Sequence, residues 1–174
     1  MCSSDLGIGG FHRHWTQHLD VSADLTALAT TPTCVVASGA KSILDVQATV
    51  ESMETIGVPV LGYGHNHFPR FIEHGATDDP LVHQVDTPEE VAMICKQHWQ
   101  VLGMNTAILA TVHVPFEFAI EKGSLDQVIE RSEHNWKKTG QPPSSRTPYL
   151  LDQLARATQG RSLEIGRASW RDRV

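Results

Sequence analysis

The sequence predicts an α/β fold built on a mostly parallel sheet. Short apolar runs without polar alternation are typical of strands that are buried on both faces of such a sheet. Runs of this kind occur at Thr33–Ser38, Val58–Tyr63 and Thr106–Val112. Helical segments lie between them, and this alternation of strand and helix predicts parallel strands.

The helices and the remaining strand are predicted from their terminal residues. Ser22 is a good N-cap for a helix through Leu25 and Leu28 that ends before Pro32. The other predicted elements are a helix from Val46 to a stop at Gly57, an edge strand Leu81–Val85, a helix that starts within Asp86–Glu90 and stops at Gly103, a helix Ser124–Lys138, and a last helix from near Pro148.

The composition describes an ordinary globular chain and excludes several function classes. The 174 residues are 40% hydrophobic and 20% charged, and the net charge is −6. An acidic chain lacks the basic face that nucleic acid requires, so nucleic acid is not an expected partner. No apolar run is long enough to cross a bilayer, so no membrane association is expected. Cys34 and Cys95 are expected to be reduced core residues, and the expected location is cytoplasmic.

The two ends of the chain have the composition of foreign tails. Residues 1–6 (MCSSDL) and 165–174 (IGRASWRDRV) resemble translated adaptor DNA. Such tails carry no information on the native fold and are left out of its prediction. The predicted native domain is therefore 7–164, and it is expected to be part of a longer protein.

The segment from Gly7 to Asp45 holds the candidate site residues. Gly7–Gly10 predicts a turn whose backbone amides could approach an anion, with His12 or Arg13 adding charge, although a plain tight turn is the alternative. Lys41 follows a buried strand, and ligands of open α/β sheets gather at the carboxyl ends of strands. A surface lysine whose amine reaches into solvent is the alternative for Lys41. His65 and His67 lie in a loop without a third placed ligand and stay unassigned.

Two aspartates in the same segment have competing interpretations. Asp24 lies in the first turn of the predicted helix, where an acid is favoured by the helix dipole alone. Asp20 precedes the N-cap and is harder to explain by local structure, although a lone loop aspartate is more often a turn residue than a metal ligand.

The motifs of this chain resemble a known enzyme family. The stretches GIGGFHR, LDVSADLTALATTPTCVVASGAKSILD, VESMETIGVPVLGYGHNHFPRF, HQVDTPEEVA and TPYLLDQLARATQGRSLE are similar to pseudouridine-5'-phosphate glycosidases, a family that includes indigoidine synthase A-like proteins. The resemblance covers Gly7–Glu164. It implies a three-layer α/β/α fold, truncated in this chain, and a homotrimer for the full-length protein.

The resemblance also implies an activity and roles for individual residues. The family reversibly cleaves the carbon–carbon glycosidic bond of pseudouridine 5'-phosphate to uracil and ribose 5-phosphate. By motif, Lys41 is the covalent nucleophile and Asp20 is the ligand of a manganese ion (Mn²⁺). The SAD motif, Ser22, Ala23 and Asp24, binds substrate, and His12 is expected near the phosphate.

A carbon-linked base explains why the chemistry requires an amine. Protonation of the linking atom alone does not release a carbon-linked uracil as it releases an oxygen-linked group. Attack of a neutral Lys41 amine on C1′ opens the sugar, and its nitrogen lone pair then forms an iminium as the bond to uracil breaks once uracil C5 is protonated. Burial at a strand end would favour the neutral amine.

The resemblance leaves some of the family's machinery without a counterpart. The general-acid glutamate and a further substrate-binding lysine of the family belong to an N-terminal region that this chain lacks, and Glu117 and Glu121 match neither motif. Very low activity is expected for this polypeptide alone. The alternatives are a Schiff-base aldolase for another phosphosugar and an inactive fragment with at most binding ability.

Overall fold

A computed structural model of the chain describes residues 2–4, 7–74, 79–117, 119–121 and 123–160. The predicted tail 165–174 and the SLE motif at 162–164 lie outside these residues, and the tail 1–6 is described only in part. The foreign origin of the tails and the domain limits 7–164 stay predictions. None of the helices described is long and apolar enough to cross a membrane. The chain divides into two compact units.

The first unit, residues 1–71 and 76–113, contains a parallel sheet flanked by helices. Within the described residues, five strands pair in the order β1-β2-β6-β3-β5, and all four pairings are parallel. The elements of this unit are β1 (Cys2–Ser4), α1 (Trp15–His18), α2 (Ala23–Thr30), β2 (Cys34–Ala37), α3 (Val46–Thr55), β3 (Val60–Tyr63), β5 (His83–Val85), α4 (Pro88–Lys96) and β6 (Ile108–Thr111). The predicted α/β class with a mostly parallel sheet is confirmed.

The register aligns the carboxyl ends of the three central strands. Thr111, the last residue of β6, is level with Ala37 of β2 and Gly62 of β3. All four residues of β6 are buried, as the apolar pattern predicts, but Cys34–Val36 in β2 are only partly buried. The prediction that Thr33–Ser38 is buried on both faces was therefore wrong for β2 in this chain.

The residues predicted to start or end helices lie at those positions in the structure. The Ser22 hydroxyl accepts a hydrogen bond from the Asp24 amide at 3.2 Å and caps α2. Thr87 and Glu90 form a reciprocal capping box at the start of α4. Gly57 adopts φ 74° after α3. One π-helical turn, Gln97–Val101, extends α4 and was not predicted.

The second unit consists of residues 72–75 and 114–174. Its described elements are β4 (Glu73–His74), which pairs in parallel with β7 (Ile120–Glu121), and the helices α5 (Asp126–Thr139) and α6 (Arg146–Ala157). The last helix starts at Arg146, and Pro148, near which its start is predicted, lies in the first turn, where proline is tolerated. Arg146 itself is 1% exposed and forms an ion pair with Glu133 at 2.7 Å.

Candidate functional site

The predicted substrate motif contacts one short stretch, which we call the glycine segment (Gly7–His12). The carboxylate of Asp24 accepts a hydrogen bond from the Gly9 amide at 2.7 Å, and the Ser22 amide donates to the carbonyl of Gly10 at 2.9 Å. A Cβ at Gly9 would overlap the Ser22 side chain. The motif and the glycine segment are therefore held together, while Ala23 is exposed in the first turn of α2.

His12 and Asp20 lie against each other at the end of this segment. The His12 amide donates to the Asp20 carbonyl at 3.1 Å, and His12 Nδ1 lies 3.9 Å from Asp20 Oδ2. His12 is only 6% exposed. Its imidazole is thus buried beside the Asp20 carboxylate.

Lys41 lies where β2 meets the glycine segment. Its amide donates to the Ile8 carbonyl at 3.2 Å, and its carbonyl accepts from the Leu44 amide at 2.9 Å. The lysine is partly buried. Arg13, the alternative anion ligand, donates from Nη2 to the carbonyl of Ser42 at 3.1 Å. The backbone of the predicted nucleophile is therefore attached directly to the turn that holds Ser22 and Asp24.

A second stretch, Pro69–Phe71, runs parallel beside Ala40, the residue immediately before Lys41. The Ala40 amide donates to the Pro69 carbonyl at 3.2 Å, and the Phe71 amide donates to the Ala40 carbonyl at 2.8 Å. Gly39, at φ 90°, allows this approach, because a Cβ there would overlap the Pro69 carbonyl oxygen.

Replacing Gly39 by alanine is therefore expected to destabilise the protein by at least about 2 kcal/mol, because steric overlap adds to the strain of a positive φ. Gly64 is the matched control, since it has φ 73° but no atom within 4 Å of the added Cβ. Gly64→Ala should lower the free energy of unfolding only by the strain of a non-glycine residue at positive φ, about 1–2 kcal/mol. Urea unfolding of both variants gives the comparison. Equal losses would show that the approach to Pro69 is not tight.

The resemblance implies a manganese ion at Asp20, and the groups around Asp20 show which ligands such an ion would have. Among the described residues, no group of three or more His, Cys, Asp or Glu side chains is arranged to hold a metal. A cation at Asp20 would be held by one carboxylate, whose side chain is 28% exposed, together with oxygens of water or substrate. An all-oxygen set of this kind suits Mn²⁺.

Three histidines lie past the carboxyl ends of β3 and β6. His65 follows β3 by two residues, and its Nδ1 lies 2.9 Å from the His67 carbonyl oxygen while its Nε2 lies 3.1 Å from the Thr111 carbonyl oxygen. His113 follows β6 by two residues, and its ring centroid lies 4.2 Å from that of His65. His67 Nδ1 lies 3.1 Å from the Asp79 carbonyl oxygen.

The surroundings of this cluster disfavour protonation. Burial lowers the pKa of His65 below its usual range, against the opposing effect of the Thr111 and His67 carbonyls, and the charge of His67 lowers it further. Partial burial, followed by repulsion from His65 and His67, lowers the pKa of His113. Both shifts favour the neutral imidazole.

Acidification is expected to reduce stability through these two histidines. Because their folded-state pKa values lie below the unfolded value of 6.5, the unfolded chain binds more protons as the pH falls below about 6.5. The contribution of His65 and His113 to the free energy of unfolding is fully present above pH 6.5 and is lost as the pH falls through their lowered folded-state pKa values.

Thermal unfolding between pH 7.5 and 5 measures this effect. His113→Asn should show a smaller drop in Tm than the wild type, whereas His83→Asn, on the exposed edge strand β5, should match the wild type. Identical drops in all three proteins would contradict the assignment to the cluster.

The sequence reasoning missed His113 and left His65 unassigned. A usable signal was present, since His65 lies two residues and His113 one residue beyond a predicted buried strand, at the edge where ligands of open α/β sheets bind. The neighbouring order of β3 and β6, which brings the two rings together, is a tertiary feature.

Known proteins match nearly the whole chain. A family model described as indigoidine synthase A like protein matches residues 3–171. A pseudouridine-5'-phosphate glycosidase of Streptomyces griseus is 40% identical over 168 residues, which are 97% of this chain and 52% of the relative. A second protein of that name, from Petrotoga mobilis, is 37% identical over 158 residues, covering 91% of this chain and 51% of the relative.

Solved structures share the fold. The crystal structure of the prealnumycin C-glycosynthase AlnA in complex with ribulose 5-phosphate has a TM-score of 0.86 at 35% identity, covering 94% of this chain and 53% of that one. An indigoidine synthase A-like protein from Thermotoga maritima has a TM-score of 0.81 at 31% identity, covering 94% and 52%. This chain spans about half the length of the curated relatives it matches.

Proposed function

The chain belongs to the family of indigoidine synthase A like proteins, and from this premise we propose that its site takes part in the reversible carbon–carbon cleavage of pseudouridine 5'-phosphate to uracil and ribose 5-phosphate. One observation carries the proposal: Lys41 lies four residues past the carboxyl end of β2 and is hydrogen-bonded through its backbone to the glycine segment, which Ser22 and Asp24 hold in place. The names of the similar glycosidases supply the substrate.

Lys41 acts as the nucleophile in this proposal. Its neutral amine bonds to C1′ of the sugar while the ring oxygen leaves C1′ and gains a proton, and the nitrogen loses a proton to give an amine adduct that still carries uracil on C1′. Protonation of uracil C5 then allows the bond between C1′ and C5 to break: its electrons pass to uracil, while the nitrogen lone pair forms the C1′=N bond of an iminium. Hydrolysis of the imine releases ribose 5-phosphate and restores the amine.

The surrounding residues bind and orient the substrate. Asp24 and Ser22 fix the glycine segment, whose backbone lies next to that of Lys41. Buried His12 orients the Asp20 carboxylate on the side of the site that we assign to the phosphate. A Mn²⁺ ion at Asp20 would supply positive charge near the sugar oxygens.

Further parts of the proposal concern partners and assembly. The partner is a small phosphorylated molecule, in line with the ribulose 5-phosphate bound to the similar C-glycosynthase AlnA. The full-length protein is proposed to be a cytoplasmic homotrimer, and light scattering of that protein tests the assembly. The general-acid glutamate has no motif counterpart in this chain, so we expect weak cleavage by the chain alone, because catalytic groups that act as a unit are not additive.

Reductive trapping tests the proposal. The chain is incubated with ribose 5-phosphate and borohydride, and peptide mapping should find the reduced adduct at Lys41. Product analysis with pseudouridine 5'-phosphate should then detect uracil, which separates the glycosidase from an aldolase for another phosphosugar. An adduct without uracil formation on added pseudouridine 5'-phosphate, even in the full-length protein, favours the aldolase. No adduct at Lys41 favours an inactive polypeptide.

A further inference from the structure

We propose that His65 is a positioning residue of the Lys41 site: it fastens the segment Gly64–Phe71 to the end of β6, so that the other end of this segment is held against Ala40. The inference rests on the proposed function only in taking Lys41 as the reacting amine. The two contacts that it joins are backbone and side-chain hydrogen bonds within the first unit.

The near end of the segment is fastened by the imidazole. His65 Nε2 lies 3.1 Å from the carbonyl oxygen of Thr111, which is 46 residues away in sequence, and Nδ1 lies 2.9 Å from the carbonyl oxygen of His67. Gly62 makes room for this arrangement, because a Cβ there would overlap the His65 carbonyl oxygen and come within 2.8 Å of Nδ1. The ring is therefore confined between β3 and β6.

The far end of the segment pairs with the residue before the nucleophile. Ala40 exchanges backbone hydrogen bonds with Pro69 and Phe71, and Arg70 forms an ion pair with buried Asp79 at 3.0 Å. Ala40 is completely buried. Since Lys41 follows at once, a shift of this segment would move the backbone that carries the amine.

The protonation state of His65 affects this fastening. A neutral imidazole has one N–H and can donate to only one of the two carbonyls, whereas an imidazolium donates to both. The titratable and charged groups around it are His67 on the same segment, His113 after β6, and the Arg70–Asp79 pair farther along. Protonation of His65 should thus change the behaviour of the Lys41 site, and the change should be absent when residue 65 does not titrate.

Two substitutions separate the contact from the titration. In His65→Gln the side-chain amide can approach the position of Nε2 and keep a donor for the Thr111 carbonyl. In His65→Asn the shorter amide matches Nδ1 and leaves no side-chain group of residue 65 at the position of Nε2, next to the Thr111 carbonyl. His83→Asn is the control for loss of an exposed imidazole in the same unit.

The rate of trapping of ribose 5-phosphate by cyanoborohydride, which survives at acidic pH, is measured from pH 5 to 8.5. His65→Asn should lower the rate about tenfold or more at pH 7.5, as expected for a displaced reacting group, while His65→Gln stays within about threefold of the wild type. In the wild type and in His83→Asn, the plot of trapping rate against pH should bend at acidic pH because His65 becomes protonated. Both His65 variants should lack this bend. Equal rates and equal pH profiles in all four proteins would overturn the inference while leaving the proposed function intact.

Hydrogen exchange separates the two proposals if the wild type forms no adduct. The amides of Ala40 and Phe71, which bond to Pro69 and Ala40, should exchange at least about tenfold faster in His65→Asn than in His65→Gln, whether or not Lys41 reacts. Unchanged exchange at both amides overturns the positioning role, whereas absence of the adduct with faster exchange overturns only the proposed function.

Discussion

Lys41→Arg is expected to abolish the borohydride-trapped adduct with ribose 5-phosphate, with a loss of at least about 1,000-fold that takes the signal below detection. Arginine keeps a long aliphatic stem, but its guanidinium stays protonated and does not form an imine. The backbone contacts of residue 41 with Ile8 and Leu44 involve no side-chain atom, so the variant should keep its fold. Peptide mass mapping after reduction gives the measurement.

The matched control is another lysine of the same unit. Lys96 is exposed near the end of α4, and Lys96→Arg should leave the adduct at Lys41 unchanged. An adduct of equal yield in Lys41→Arg, carried by any other lysine, would show that the modification is non-specific surface chemistry. The assignment of Lys41 as the nucleophile would then be wrong.

Glu133→Gln is expected to lower the free energy of unfolding of the second unit by about 3–5 kcal/mol. Arg146 is 1% exposed and Glu133 is 5% exposed, and the guanidinium donates from Nη2 at 2.7 Å and from Nε at 3.1 Å to the carboxylate. Removing the negative charge leaves a buried cation between α5 and α6 with its main counter-ion lost. Urea unfolding followed by circular dichroism measures the change.

Two further variants serve as controls for the prediction on Glu133→Gln. The exposed ion pair of Asp152 and Arg156 on α6 has a similar separation, 2.8 Å, but Asp152→Asn should cost only about 0.5 kcal/mol because solvent screens it. The double variant Glu133→Leu with Arg146→Met should lose less stability than Glu133→Gln, since it leaves no buried charge unpaired. If Glu133→Gln and Asp152→Asn cost the same, burial does not strengthen the Glu133–Arg146 pair.

The sequence predicted the elements whose signals are local. Ser22 caps α2, Thr87 starts α4 and Gly57 ends the segment after α3, as their residue types indicate. Helix caps and stops depend on hydrogen bonds within a few residues, so they can be predicted without knowledge of the fold. The location of Lys41 just past a strand follows from the same kind of pattern.

The contacts that build the site come from distant parts of the chain. The hydrogen bond from Gly9 to Asp24 spans 15 residues and the contact of His65 with Thr111 spans 46. Neither could be predicted from residue types, because they depend on which strands are neighbours. Arg146 illustrates the same limit, because its buried partner Glu133 lies 13 residues away and is evident only from the packing within the second unit.

By itself, the sequence determined the parallel α/β class, the positions of the main helices and the motif that carries Lys41, because periodicity, caps and turn residues act over short distances. The tertiary structure decided which strand ends are adjacent, since the order β2-β6-β3 alone brings Thr111 between Ala37 and Gly62. That order is selected by burial of β6 on both sides, a collective energy that no local stretch of residues encodes.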